Sequence, residues 1–256
     1  MTDARMLIIV PTRSRPENVA KVVRAWEDTD AFRHADLCFA HDNDDPAKGG
    51  YLQAFAEMDV PAHGARFMSM PKWLPLVPKL NGAASTYAEY FGYFAIGFAG
   101  DDHLPRTHGW AARYLEKLIE MGTGVVSCPD GYRGDRLPTQ WAMTADIVHA
   151  LGRMVPAPVE HLYCDNAVWD LAEAAGCYAY LEDVLIEHMH PLAGRSEWDA
   201  QYRNVNRPAQ YRRDQAAYRQ WRNDPGYGLS AQALAVRELR EERAAATAPN
   251  PSGGAS

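Results

Sequence analysis

Along the first hundred residues, continuous apolar runs alternate with segments of helical period. Residues 6–10 (MLIIV) are uniformly apolar, the pattern of a strand buried on both faces. A polar turn follows at residues 11–16. From 17 to about 28, Val19, Val22, Val23 and Trp26 recur on one side of a helix. Residues 35–40 read as a second strand that ends in the polar cluster 41–46. A short helix is expected over 47–57, a third strand over 65–70, a Pro-rich loop over 71–78 and a helix from 79 to about 90. The apolar run 94–100 is the fourth strand, and it stops at Asp101, Asp102 and His103. Strand and helix in alternation predict an α/β fold with a mostly parallel sheet and right-handed crossovers.

The second half is less regular. Helices are expected over 108–121, 145–151 and 163–175, the last with Val168, Leu171 and Ala172 inward and Gly176 as its stop. Strands are expected over 124–128, 140–144 and 178–186, the last leading into Glu187-His188-Met189-His190-Pro191. Beyond Pro191 apolar content drops and arginines accumulate, among them Arg203, Arg207 and Arg212. Interleaved Tyr202, Tyr211, Tyr218 and Trp221 make that stretch amphipathic, as for helices packed on the main domain. A further helix covers 229–243. The chain thus divides into a domain at 1–191, an arginine-rich helical extension at 192–243, and a Pro/Gly/Ser/Ala-rich tail at 244–256 read as disordered.

At 256 residues the chain can bury a large core. No apolar run reaches the roughly 20 residues that a membrane span needs. The N-terminus runs straight into a strand pattern with no leader. Cys38, Cys128, Cys164 and Cys177 are widely spaced, as for reduced core thiols of a cytoplasmic protein rather than a zinc site. A net charge of -7 supplies no global attraction to nucleic acid, although a local basic patch in the arginine segment is compatible with it.

Three strands end in polar clusters: Thr12-Arg13, Asp42 to Asp45, and Asp101-Asp102. A parallel sheet delivers all three to one edge, where open α/β sheets bind ligands. Hard carboxylate ligands there suit Mg²⁺ or Mn²⁺. Each cluster also has a structural reading. The acids at 42–45 before Pro46 make a turn and helix start, and Asp102 and Asp165 make helix N-caps. Trp141, Trp169 and Trp73 read as core or loop packing, with Trp141 also a candidate sugar platform.

The order of these features resembles the nucleotide-sugar-dependent glycosyltransferases of the glycosyltransferase A fold, in particular the inverting family-2 type. The features are Val10-Pro11-Thr12-Arg13-Ser14-Arg15-Pro16, a second strand ending at Asp42, a later one ending in Gly100-Asp101-Asp102, and a helix opening Cys164-Asp165-Asn166. The resemblance spans about residues 5 to 190 and implies a single Rossmann-like domain. It implies that Pro11, Thr12 and Arg15 lie by the nucleotide, and that Asp42, or Asp44, binds the base. Lys79, Asp101 and Arg203 join that donor-binding set. The family's Asp-x-Asp motif is altered here, since glycine stands at its first position. Asp102 matches the metal-binding acid, with His188 and His190 as further ligands and His103 as another candidate. Asp165 matches the catalytic base.

The reaction implied is metal-dependent transfer of a sugar, with inversion, from a nucleoside-diphosphate sugar to an acceptor hydroxyl. The resemblance ranks UDP first and GDP next, with Mn²⁺ or Mg²⁺ as cofactor. The acceptor is open: a glycan, a protein side chain, a lipid-linked sugar, a small metabolite, or a hydroxymethylated DNA base of the kind some bacteriophage enzymes use. Two alternatives stand beside this reading. A nucleotidyltransferase would need a Gly-rich loop after the first strand, and residues 11–16 hold no glycine. A non-catalytic sugar- or nucleotide-binding module would need no base such as Asp165.

Overall fold

The strand β1 (Met6–Pro11) is buried from Met6 through Val10, and its side chains alternate between two faces. Met6, Ile8 and Val10 pack with Val19, Val22 and Trp26 of α1 (Pro16–Asp28). Leu7 and Ile9 pack on the other face with Leu80 and Ala84 of α3 (Leu76–Tyr90). A strand with no polar position fits only between two helical layers. Each fully buried aliphatic side chain contributes on the order of 1.5–3 kcal/mol there. The computed structural model describes residues 4–57, 64–70, 72, 74–133 and 137–247. Trp73, and the tail from residue 248 onward, lie outside the described residues.

Seven strands form the central sheet: β1, β2 (Ala35–Asp42), β3 (Ala65–Met70), β4 (Ala95–Phe98), β6 (Val125–Ser127), β7 (Trp141–Thr144) and β8 (Tyr178–Tyr180). Their order is β3-β2-β1-β4-β7-β6-β8. The first four are parallel; β7 is antiparallel to β4 and β6, and β8 is parallel to β6. The order reverses direction at β1, with β2 on one side and β4 on the other. A crevice therefore opens between the carboxyl ends of β1 and β4.

Two sequence expectations change here. The run 178–186 is not one strand. It splits into β8 and β9 (Ile186–His188), and β9 pairs antiparallel with β5 (His103–Pro105) in a separate two-stranded sheet. The turn at 181–184 redirects the chain away from the main sheet, and period-2 reading does not see it. The helix α3 starts at Leu76, inside the expected loop, with Pro78 in its first turn, where a missing N–H costs no intrahelical bond.

The remaining helices are α2 (Lys48–Glu57), α4 (Trp110–Met121), α5 (Ala145–Leu151), α6 (Cys164–Ala174), α7 (Ala200–Val205), α8 (Pro208–Asn223) and α9 (Leu229–Thr247). Helix α9 extends four residues into the stretch read as tail and packs on α5, α6 and α8. Among the described residues, no helix is long and apolar enough to cross a membrane.

Candidate active site

The β1 end turns sharply at Ser14, whose φ is 57°. Buried Asp45 holds this turn by accepting from the Ser14 backbone N–H at 2.9 Å and from the Tyr51 hydroxyl at 3.1 Å. Arg15 thereby points back over the crevice. Its Nη1 donates to Asp101 Oδ1 at 2.9 Å and its Nε to Asp199 Oδ2 at 2.6 Å, while its guanidinium covers the Tyr202 ring at 4.2 Å. Arg15 is 8% exposed, yet its Nη2 has no hydrogen-bond partner among the described residues.

The acidic turn after β4 separates its two carboxylates. Asp101 is taken up by Arg15 and by the Thr12 hydroxyl at 2.8 Å. Asp102 faces the imidazoles. Register places His103 of β5 directly opposite His188 of β9, so the two rings share a face and stack at 4.0 Å. Ligand atoms of Asp102, His103 and His188 all lie within 4.8 Å of one another. At the first position of the motif, a Cβ on Gly100 would stand 2.8 Å from His103 Nδ1 and crowd the Asp102 carboxylate, so a side chain there would require these two groups to shift.

Electrostatics bind the cluster together. Burial disfavours the Asp102 anion, but hydrogen bonds from His103 and His188 hold its pKa well below the usual carboxylate range. Burial likewise disfavours the His188 cation, yet Asp102 and Asp130 raise it to about 9. His188 Nε2 lies 3.3 Å from Asp102 Oδ2, and its Nδ1 is 3.8 Å from Asp130 Oδ2. An imidazole with one nitrogen toward a ligand carboxylate and the other toward a supporting one is the usual posture of a metal-binding histidine. The donor set of one carboxylate and two imidazoles fits a divalent cation. The Tyr202 hydroxyl of α7 donates to the same Asp102 Oδ2.

Asp165 stands at the start of α6. The residue before that helix, Tyr163, takes φ 66°, a left-handed conformation uncommon outside glycine. The chain before it is held by Asp214 of α8, which is fully buried and accepts the backbone N–H groups of Glu160, His161 and Leu162 at 3.0, 3.1 and 2.8 Å. Burial raises the Asp165 pKa above the ordinary carboxylate value.

A cavity of about 530 Å³ joins these groups. Pro11, Thr12, Arg15, Lys79, Asp101 and Asp102 line it, as do Asp165, His188 and His190. Asp42, Asp44 and Arg203 do not. Asp42 is fully buried beneath Arg13 and Lys79, and Asp44 and Arg203 are exposed. His190 lies beside the Asp102–His103–His188 cluster rather than in it: its Nδ1 accepts from the Leu192 N–H, and its ring stacks on Tyr132 at 5.5 Å. Trp141 is buried in the core against Phe98, away from the cavity.

Sequence reading missed Asp130, Tyr202 and Asp199. Asp130 follows the apolar run 125–128 and carries the same strand-end signal as Asp101. Nothing local marks Tyr202, which reaches Asp102 across 100 residues.

No protein-family model and no curated protein matches this sequence. Solved structures do. A mannosyltransferase from Pyrobaculum calidifontis, in complex with GDP-Man and Mn²⁺, superposes with a TM-score of 0.65 at 14% identity, over 98% of this chain and 78% of that one. TarS residues 1–349 from S. aureus, in complex with UDP-GlcNAc, superposes with a TM-score of 0.62 at 9% identity, over 95% and 73%. The chain has the glycosyltransferase A fold. A mycobacterial protein superposes with a TM-score of 0.51 at 13% identity, over 75% of this chain and 70% of that one. At these identities the likeness is one of fold, and the chemistry must be argued from the side chains.

Proposed function

We propose that this protein transfers a glycosyl group from a nucleoside-diphosphate sugar to an acceptor hydroxyl, with a divalent cation, Mn²⁺ or Mg²⁺, held by Asp102, His103 and His188. The observation that carries this reading is one cavity joining three parts: the carboxylate–imidazole cluster, the unpartnered buried Nη2 of Arg15, and, apart from both, the Asp165 carboxylate. Two structural neighbours with this fold were solved with a nucleotide sugar bound, which supports the donor class.

The cation, when bound, supplies Lewis-acid neutralisation of the departing diphosphate. Arg15 Nη2 is available to a phosphate oxygen, and its other nitrogens are already fixed, so little reorganisation is needed. Pro11, Thr12 and Lys79 line the donor side. Asp165 accepts the proton of the acceptor hydroxyl; its raised pKa makes it a better base than a solvent-exposed aspartate. The acceptor oxygen forms the new bond to the anomeric carbon while the bond to the phosphate oxygen breaks, and that electron pair leaves with the diphosphate. Attack from the Asp165 side, opposite the leaving group, inverts the anomeric centre.

The test is a calorimetric titration with nucleoside diphosphates and sugar nucleotides, with Mn²⁺ and with EDTA. Metal-dependent binding of a nucleotide is expected. No binding by any of them to folded protein would remove the transferase reading.

A further inference from the structure

The end of the cavity beside β2 presents hydrogen-bond donors where a carboxylate is expected. Asp42, at the end of β2, has no solvent exposure. Its Oδ2 accepts from Arg13 Nη1 at 3.0 Å and from Lys79 Nζ at 2.9 Å, and its Oδ1 from the Leu74 N–H at 3.4 Å. It is covered and does not reach the cavity. Arg13 and Lys79 do.

Both cations keep donors in reserve. A guanidinium carries five N–H groups and an ammonium three. Among the described residues, Arg13 places its two carboxylate bonds, to Asp42 and Asp44, through Nη1, which leaves Nε and Nη2. Among the same residues Lys79 has one bonded partner, Asp42. Leu74, Pro75 and Leu76 line the same end and offer apolar surface to a planar ring.

Placement follows from the site already described, and this inference rests on the proposed glycosyl transfer. The diphosphate belongs at Asp102 and Arg15, at the ends of β4 and β1. The transferred sugar lies between the diphosphate and Asp165, because the acceptor must reach the anomeric carbon from that side. The nucleoside is then left the opposite direction, toward β2, Arg13 and Lys79.

We infer that this subsite reads a base edge with two adjacent acceptors and no N–H between them. Guanine offers such an edge at O6 and N7, and cytosine at O2 and N3. Uracil interrupts its two carbonyls with N3–H, and adenine sets an amino group beside N7; each turns an N–H toward a cation or leaves it without an acceptor. Arginine or lysine facing O6 and N7 is the pairing by which guanine is read in duplex grooves. The order of donors that the resemblance implies, UDP before GDP, is thereby reversed.

The experiment titrates the full chain with GDP, CDP, UDP and ADP in Mn²⁺, and repeats the series with Lys79→Met and Arg13→Gln. GDP or CDP, the two arms that separate the sources of the edge, is expected to bind at least about tenfold tighter than UDP and ADP. Each substitution is expected to shrink that ratio while binding through the diphosphate persists. UDP binding as tightly as GDP and CDP overturns the inference and leaves glycosyl transfer standing. Absence of binding by all four overturns both. The wild-type series decides the matter even if a variant does not fold.

Discussion

Arg15 Nη1 donates to Asp101 Oδ1 at 2.9 Å, and with the Thr12 hydroxyl at 2.8 Å it occupies the first of two adjacent carboxylates. Asp101 is spent on joining the β1 turn to the β4 end, so Asp102 alone faces the imidazoles. The pair is nearly dry, with Asp101 5% exposed. Removing one member of a buried ion pair strands the other. Arg15→Ala is therefore expected to lower stability by about 3–5 kcal/mol, read as a shift in the urea midpoint.

Among the described residues, Asp102 supplies the carboxylate of the candidate metal site. Asp102→Asn is expected to weaken Mn²⁺ binding by about a hundredfold, the upper end of what even supporting residues of metal sites are worth. Titration followed by the Mn²⁺ electron paramagnetic resonance signal checks it. Unchanged affinity would take Asp102 out of the ligand set.

Tyr202 donates to the oxygen of Asp102 that a cation would use, so hydroxyl and cation compete. Tyr202→Phe removes the competitor and keeps the ring under Arg15. Mn²⁺ affinity is expected to rise by about tenfold, from the roughly 1.5–3 kcal/mol of a hydrogen bond to a charged group. A fall in affinity would mean that Tyr202 supports the site instead.

Asp165→Asn is expected to leave nucleotide binding intact and to slow transfer by about 10²–10⁴-fold, the usual contribution of a positioned base. In the wild type the raised pKa of Asp165 moves the acid limb of the rate profile to higher pH than an ordinary aspartate gives, because the base works only when deprotonated. Equal turnover in the variant would reduce Asp165 to an acid in the first turn of α6.

His161 lines the cavity, and burial holds its pKa down at about 4 against an ordinary 6.5. Asp214 pulls it upward, while Lys79 and Arg15 push it further down. The unfolded chain takes up this proton at higher pH than the native one. The contribution is whole above pH 6.5 and is lost as pH falls toward 4, by up to about 3 kcal/mol. Urea midpoints across that range should drop for the wild type and flatten for His161→Gln.

The parallel half of the sheet was legible because its strands are mostly apolar. Residues 6–10 are wholly apolar and 35–40 nearly so, with Asp36 the exception, and the residue at which each apolar run stops marks the sheet edge. That was enough to expect Thr12, Asp101 and Asp102 in one place. Arg15, Asp165 and His188, which only the family resemblance singled out, line the same cavity. What the pattern could not carry was direction within the edge. Asp42 ends its strand as Asp101 does, yet Arg13 and Lys79 fold over it, while Asp102 lines the cavity. That difference lies in side chains arriving from another turn and another helix.

The Asp102–His103–His188 cluster was decided above the level of sequence pattern. His103 and His188 are 85 positions apart and meet through the register of a two-stranded sheet of three residues per strand, too short to leave a periodic signal. His188 and His190 looked equivalent along the chain; the register carries one into the cluster, and the bend after it turns the other onto Tyr132. Local burial is written in the order of residues, since it depends on each side chain and its near neighbours. Which two donors share an oxygen, as Tyr202 and His188 share Asp102 Oδ2, depends on where distant segments pack, and only the tertiary structure fixes that.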